Sequence, residues 1–180
     1  SARDPGGLFA RLVESIAPLL PVDILGFLIY NEGLRMLEGR IPFHGLPDQF
    51  IAVYRTQIVA GSSAEQILLD QDVLITDNAS EDEKWNLLGL GHLAPAASLR
   101  ETVLVPLTTG GHMLGYLQAS NHSDGQTPFT QAELHLLMIV ANQAASIIEN
   151  ASLVQQSRQR AQRAEALRRI ASLASSAATL

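Results

Sequence analysis

The chain contains no cysteine. That excludes disulfides, thiolate metal sites, thioether-linked chromophores and cysteine catalysis together. Aromatic residues are scarce, at 5%, with Trp85 the single tryptophan. No uninterrupted apolar run reaches the roughly 18 residues that span a bilayer. The opening SARDPGG has neither the basic start nor the apolar core of a signal peptide. No membrane insertion is expected, and the expected location is cytoplasmic. Phosphate loops, dinucleotide fingerprints and nucleophile elbows are missing as well. Ser62, Ser98 and Ser120 have no identifiable base, so catalysis by this chain is not expected.

Metal chemistry finds little support. The five histidines, His44, His92, His112, His122 and His135, form no pair spaced to put two ligands on one helix face. The acidic group Asp70, Asp72, Asp77, Glu81, Asp82 and Glu83 lacks the glycine and terminal glutamate of a calcium loop. It reads as a solvated rim.

What is present suits one domain with a real core: 180 residues, 47% apolar and 17% charged. The net charge of −6 is unevenly spread. Residues 1–152 carry 7 basic and 17 acidic side chains, a net of −10, and residues 153–180 carry +4 from five arginines against Glu165. An acidic body argues against nucleic acid as a partner.

The chain is organised around Ser98–Asn121, SLRETVLVPLTTGGHMLGYLQASN. Two apolar runs, Thr102–Leu107 and Met113–Ser120, flank Gly110-Gly111, which supplies the positive φ angles of a tight hairpin. Pro106 lacks a donor and places its strand at an edge or beside a bulge. Before the hairpin, residues 7–20 read as an amphipathic helix, Asp23–Tyr30 as a buried strand, and Leu34–Ile41 as a second strand after an Asn-Glu-Gly turn. A loop over 42–47, a helix over about 47–58 with Phe50, Val53, Tyr54 and Ile58 inward, a short helix Ala64–Leu69 and a strand Val73–Thr76 follow. Residues 77–97 read as an irregular segment with one or two helical turns, the kind that often covers a site.

After a polar loop, Thr130 and Glu133 form a capping box at the start of the last helix. No glycine or proline occurs after Pro128, so helix can run to the end. Its apolar repeat breaks: Val154, Ala161 and Ala164 share a heptad, and Leu167, Ile170, Ala174 and Ala177 follow another register. The polar centre QQSRQRAQR needs a partner or a following domain.

Several phrases carry a family resemblance. The hairpin, Val73-Leu74-Ile75-Thr76-Asp77, Phe129-Thr130 with Glu133, and Ala145-Ser146-Ile147-Ile148-Glu149-Asn150-Ala151-Ser152-Leu153 together resemble the GAF domains of signalling proteins. The resemblance covers about residues 8–153 and implies an α+β fold. A central antiparallel sheet would carry the terminal helices on one face and a loop-covered pocket on the other. It divides the chain into a GAF-like domain, 1–153, and a helical linker, 154–180. It implies a pocket on the strands Ile24–Tyr30, Thr102–Leu107 and Leu117–Asn121 under a lid from Asp77–Leu99. Gly26, Phe27, Trp85, His92, Arg100, Thr102 and Asn121 are the ligand-binding candidates, mixing apolar walls with polar groups.

The cyclic-nucleotide signature of the family is incomplete, because His122 stands where it has lysine and Leu134 follows Glu133. A bilin held through cysteine and a cysteine-dependent sulfoxide reductase are excluded. Haem with His92 as axial ligand is the weaker alternative to a plain loop histidine. The resemblance thus implies a sensory domain that binds an unidentified small ligand and relays through a dimeric C-terminal helix to an output domain, as in a sensor histidine kinase. A ligand-free dimerisation and relay module is the alternative, and an enzyme of unrecognised type is the third class. The expected homodimer uses the first and last helices, with Leu8, Ile16, Ala141, Ala144 and Ile148 as contact candidates.

Overall fold

A computed structural model describes residues 7–125 and 127–178. The two ends of the expected domain and linker, residues 1–6 and 179–180, lie outside the described residues, as does Gln126 of the polar loop. The chain divides into two units, one running to Ser146 and one from Ile147.

The first unit is built on one six-stranded sheet in the order β3-β2-β1-β6-β5-β4, antiparallel throughout. Its strands are β1 Val22–Asn31, β2 Met36–His44, β3 Arg55–Gln57, β4 Leu74–Thr76, β5 Thr102–Thr109 and β6 His112–His122. The expected hairpin, β5 and β6, is there and lies beside β1. Pro106 sits where β5 has run past β4, which pairs only with Thr102 to Leu104, so its missing donor leaves no ladder bond unmade. A bulge follows at Leu107/Thr108. Gly115 makes it possible: its φ is +145°, and a Cβ there would lie 2.0 Å from the Leu28 carbonyl oxygen.

Helix α1, Leu8–Ile16, buries Leu8, Phe9, Val13 and Ile16. Its Phe9 ring meets Phe27 with centroids 5.6 Å apart. That face of the sheet, with Leu25, Val103, Val105, Leu117 and Ala119 fully or nearly buried, is covered by α1 and the first turns of α6. Helix α6 spans Gln131–Ala178, and its part in the first unit buries Leu137, Ala141, Ala144 and Ala145. One 18-residue window of α6, mean hydropathy 1.3, is by length and composition apolar enough to cross a membrane, as core helices also are. Asn142-Gln143 and Glu149-Asn150 interrupt the apolar part of α6, so no continuous apolar run of that length marks it.

The other sheet face is covered by short elements: α2 Asp48–Ile51, α3 Ser63–Asp70, a 3₁₀ turn Ala79–Glu81, α4 Glu83–Leu88 and α5 Leu93–Ala96. The helix expected over 47–58 is only α2, after which the chain extends into β3. Tyr54 and Ile58 are buried as expected, whereas Val53 is exposed, because the chain leaves the helix before the apolar stripe repeats. The loop expected from Pro42 is also strand, as β2 continues to His44.

The second unit is helix from Ile147 to Ala178. Leu153, Val154, Leu167, Ile170 and Leu173 are exposed along it. Glu165 pairs with both Arg168 and Arg169.

Candidate functional site

The register fixes which side chains face the lid. Ile24, Gly26 and Leu28 of β1 stand opposite Ser120, Gln118 and Tyr116 of β6, which stand opposite Thr102, Leu104 and Pro106 of β5. Successive side chains alternate between faces, so all of these point to one side. Above them pack Phe43, Tyr54, Trp85, Leu88, Leu90, Leu93 and Leu99, all buried. Trp85 and Leu90 have no exposed surface. The Asp82 carboxylate caps α4 by accepting the Trp85 amide at 3.0 Å, which fixes where the indole enters the core.

Four polar side chains form a buried seam across this face. The Tyr54 hydroxyl donates to Gln118 Oε1 at 2.8 Å, and Gln118 Nε2 donates to Ser120 Oγ at 3.1 Å. Ser120 and Thr102 share a hydroxyl bond of 2.8 Å, and Thr102 Oγ1 lies 3.3 Å from the Arg100 carbonyl. One proton order satisfies every member: tyrosine to amide, amide to serine, serine to threonine, threonine to carbonyl. Two buried groups on the same face of the sheet stay outside the seam. Trp85 Nε1 and the Tyr116 hydroxyl have no hydrogen-bond partner among the described residues. Burial pushes both tyrosines far above the ordinary phenol value. The Gln118 bond pulls Tyr54 slightly back, and the Asp72 and Asp70 charges add to the rise at Tyr116.

The sequence candidates scatter. Gly26, Trp85 and Thr102 belong to the lid side, but Gly26 opens no space, because a Cβ there would lie 2.3 Å from the Phe43 ring. Phe27 was expected on this face and lies on the opposite one against Phe9, one residue out of register with Gly26 and Leu28. His92 is exposed at the start of α5. Asn121 is a brace: at φ +63° its Oδ1 accepts the Arg100 amide at 2.7 Å and its Nδ2 donates to the Ser98 carbonyl at 2.9 Å. Among the dimer candidates Leu8, Ile16, Ala141 and Ala144 are buried in the first unit, and Ile148 lies in the second. Tyr54, Tyr116, Gln118 and Ser120 were not among the ligand-binding candidates. Gln118 and Ser120 alternate in an otherwise apolar strand, a readable signal, whereas Tyr54 arrives from a distant loop.

A second polar group lies where the lid returns to the sheet. Glu101 Oε1 accepts the His122 amide at 2.6 Å and faces His122 Nδ1 at 3.7 Å. His122 Nε2 bonds Glu133 Oε2 at 2.7 Å, and its ring lies 4.4 Å from that of Phe129. Glu133 also closes the capping box: Thr130 N donates to Glu133 Oε1 at 3.0 Å and Glu133 N donates to Thr130 Oγ1 at 3.1 Å. Burial alone would raise the Glu133 carboxyl. The Thr130 bonds and His122 outweigh it and hold the carboxyl below its usual range. Beside this group an open cleft of about 400 Å³ is lined by Asp77, Asn78, Arg100, Glu101 and Pro128. Another cleft, about 460 Å³, lies by the hairpin tip, where Arg35 pairs with Glu65 and His112 with Glu32.

An antiparallel sheet with helices on one face and short elements covering the other defines an α+β module. The chain matches the GAF domain family over residues 2–149 and belongs to it. GAF domains are typically small-molecule-binding regulatory domains of signalling proteins and are usually non-catalytic. Comparison with curated proteins gave no match. Among solved structures, it resembles the GAF domain of a phosphoenolpyruvate-protein phosphotransferase from Coxiella burnetii, with a TM-score of 0.66 and 15% identity over 83% of this chain and 86% of that one. The second GAF domain of DevS from Mycobacterium smegmatis gives 0.62 and 20% identity over 86% and 99%. A type II free methionine-R-sulfoxide reductase from Thermoplasma acidophilum gives 0.58 and 15% over 81% and 95%.

Proposed function

We propose that this chain is the sensory input domain of a cytoplasmic signalling protein. A small ligand binds beneath the lid, and its binding is relayed through a dimeric α6 to an output domain such as a histidine kinase. The observation that carries this reading is the polar seam on the covered sheet face, with two unpartnered groups in the same core, Trp85 Nε1 and the Tyr116 hydroxyl. An unpaired buried polar group costs about 1–3 kcal/mol, and a purely structural core gains nothing from keeping two. A ligand that meets them recovers that cost when the lid rearranges. Coupling of about 1–3 kcal/mol to the helix is the usual scale of such a relay. The fold shared with a solved segment of a methyl-accepting chemotaxis protein, residues 122 to 287, supports a signalling parent.

The second reading, a ligand-free dimerisation and relay module, is favoured by the close packing of Trp85, Leu88 and Leu90, which fills the space beneath the lid. Native mass spectrometry of the purified protein, set against its denatured mass, separates the two. Extra mass that is lost on denaturation, and that disappears in Ser120→Ala or Trp85→Phe, supports the sensor. A bare dimer that also gains no mass from a metabolite extract supports the relay module.

A further inference from the structure

The open cleft beside the ionic group has unused binding capacity of both signs. The Arg100 guanidinium has five donors but no short bond: one terminal nitrogen lies 3.5 Å from the carbonyl oxygens of His122 and Gly125, and Nε lies 3.6 Å from Glu101 Oε2. Glu101 is 4% exposed and lines the cleft. Its Oε1 is well bonded, while among the described residues its Oε2 meets only that distant Arg100 Nε. Asp77, exposed on the rim, makes no hydrogen bond or ion pair among the described residues. Charge-assisted bonds are normally about 2.7–2.9 Å long, so each of these groups is short of a partner.

The hairpin-tip cleft offers no such vacancy. Its arginine holds Glu65 and the Ile58 carbonyl, and Gln71 Nε2 donates to the Gly111 carbonyl at 2.7 Å.

We propose that the cleft between Asp77 and Arg100 binds a free α-amino acid as its zwitterion. The ligand carboxylate lies against the Arg100 guanidinium, whose planar fork matches it, and the ligand ammonium donates to Asp77 and Glu101 Oε2. A lone anion meets two carboxylates here and a lone cation meets Arg100, so a ligand carrying both charges close together is the one the lining accepts. The open side leaves room for an amino-acid side chain along Pro128.

The site also touches the start of α6. Arg100 holds the carbonyls of the loop that leads to the helix, and Glu101 connects through His122 to Glu133 in the first turn. A carboxylate that draws Arg100 off those carbonyls therefore changes what holds the helix start. This site is separate from the space beneath the lid and stands whether or not that space takes a ligand.

The test is calorimetric titration of the 180-residue protein with each of the standard L-α-amino acids, each repeated as its N-acetyl and its carboxamide form. At least one free amino acid is expected to bind, with both blocked forms at least about tenfold weaker. Asp77→Asn and Arg100→Gln should each weaken binding about ten- to a hundredfold, the range for a lost hydrogen bond to a charged group. Asp77 is exposed and supports nothing else, so its variant remains informative if Arg100→Gln does not fold. Arg35→Gln, in the hairpin-tip cleft, should bind as the parent does, which separates the two open clefts. No binding by any amino acid, equal binding of the blocked forms, or unchanged binding by Asp77→Asn overturns the assignment.

Discussion

Tyr54 and Tyr116 are phenols kept neutral by burial, and the consequence is an alkaline signature. In the unfolded chain each ionises near pH 10, while the fold keeps both protonated well above that. Above about pH 10 the unfolded state therefore binds fewer protons than the native state, and stability falls as pH rises. Ultraviolet titration should show these two phenols ionising only together with loss of the native circular-dichroism signal. Tyr54→Phe and Tyr116→Phe should each remove one phenol from that late step. Early ionisation of both would mean that the lid side is open to water. At this scale the sequence was only partly readable. Polar Gln118 and Ser120 in an apolar strand were visible, but the partner that satisfies Gln118 lies 64 residues away, beyond the reach of any local pattern. Gly26 was visible too and invited a pocket, whereas its missing side chain serves to seat Phe43.

Among the elements, those set by short-range chemistry were legible: the Gly110-Gly111 hairpin, the Thr130 cap and the uninterrupted α6. Those set by the sheet were not. Residues 55–57 read as helix from the spacing of Phe50, Val53, Tyr54 and Ile58 around them, and become β3 because β2 offers them an unpaired edge. Two caps carry predictions. Asp82→Ala removes the bond that starts α4 and should cost about 1 kcal/mol. Since Trp85 is the single tryptophan and has no exposed surface, iodide should barely quench the parent and should quench the variant measurably more. Glu133→Gln weakens the α6 capping box and the His122 contact together, at a cost of about 0.5–2 kcal/mol near neutral pH. The folded Glu133 carboxyl sits below its unfolded value of about 4.3, so its contribution is complete above that pH and is lost as pH falls through the folded value. Denaturation curves of parent and variant should accordingly differ most near neutrality and converge in acid. A gap that persists in acid would place the effect in packing rather than in the charge.

For the molecule as a whole, the helix from Ile147 onward poses the remaining physical problem. From Leu153 to Ala178 no described residue is buried; among them Leu153, Val154, Leu167, Ile170 and Leu173 are largely exposed, and the two ion pairs to Glu165 are surface contacts worth a few tenths of a kcal/mol each. Helices in water take most of their stability from a packed face, and among the described residues this stretch has none. The buried positions Leu8, Ile16, Ala141 and Ala144 already serve the protomer core, so a partner helix would have to use the exposed apolar positions instead. If a second copy supplies that face, helicity depends on protein concentration. Circular dichroism of the 180-residue protein should lose helical signal on dilution, in step with a fall from dimer to monomer mass in light scattering. Leu167→Glu with Ile170→Glu should give the diluted signal at every concentration while leaving Trp85 emission unchanged, because the first unit has its own core. Helicity that holds on dilution in a monomer would remove the dimeric relay from the proposed function and leave the ligand sites to act within one chain.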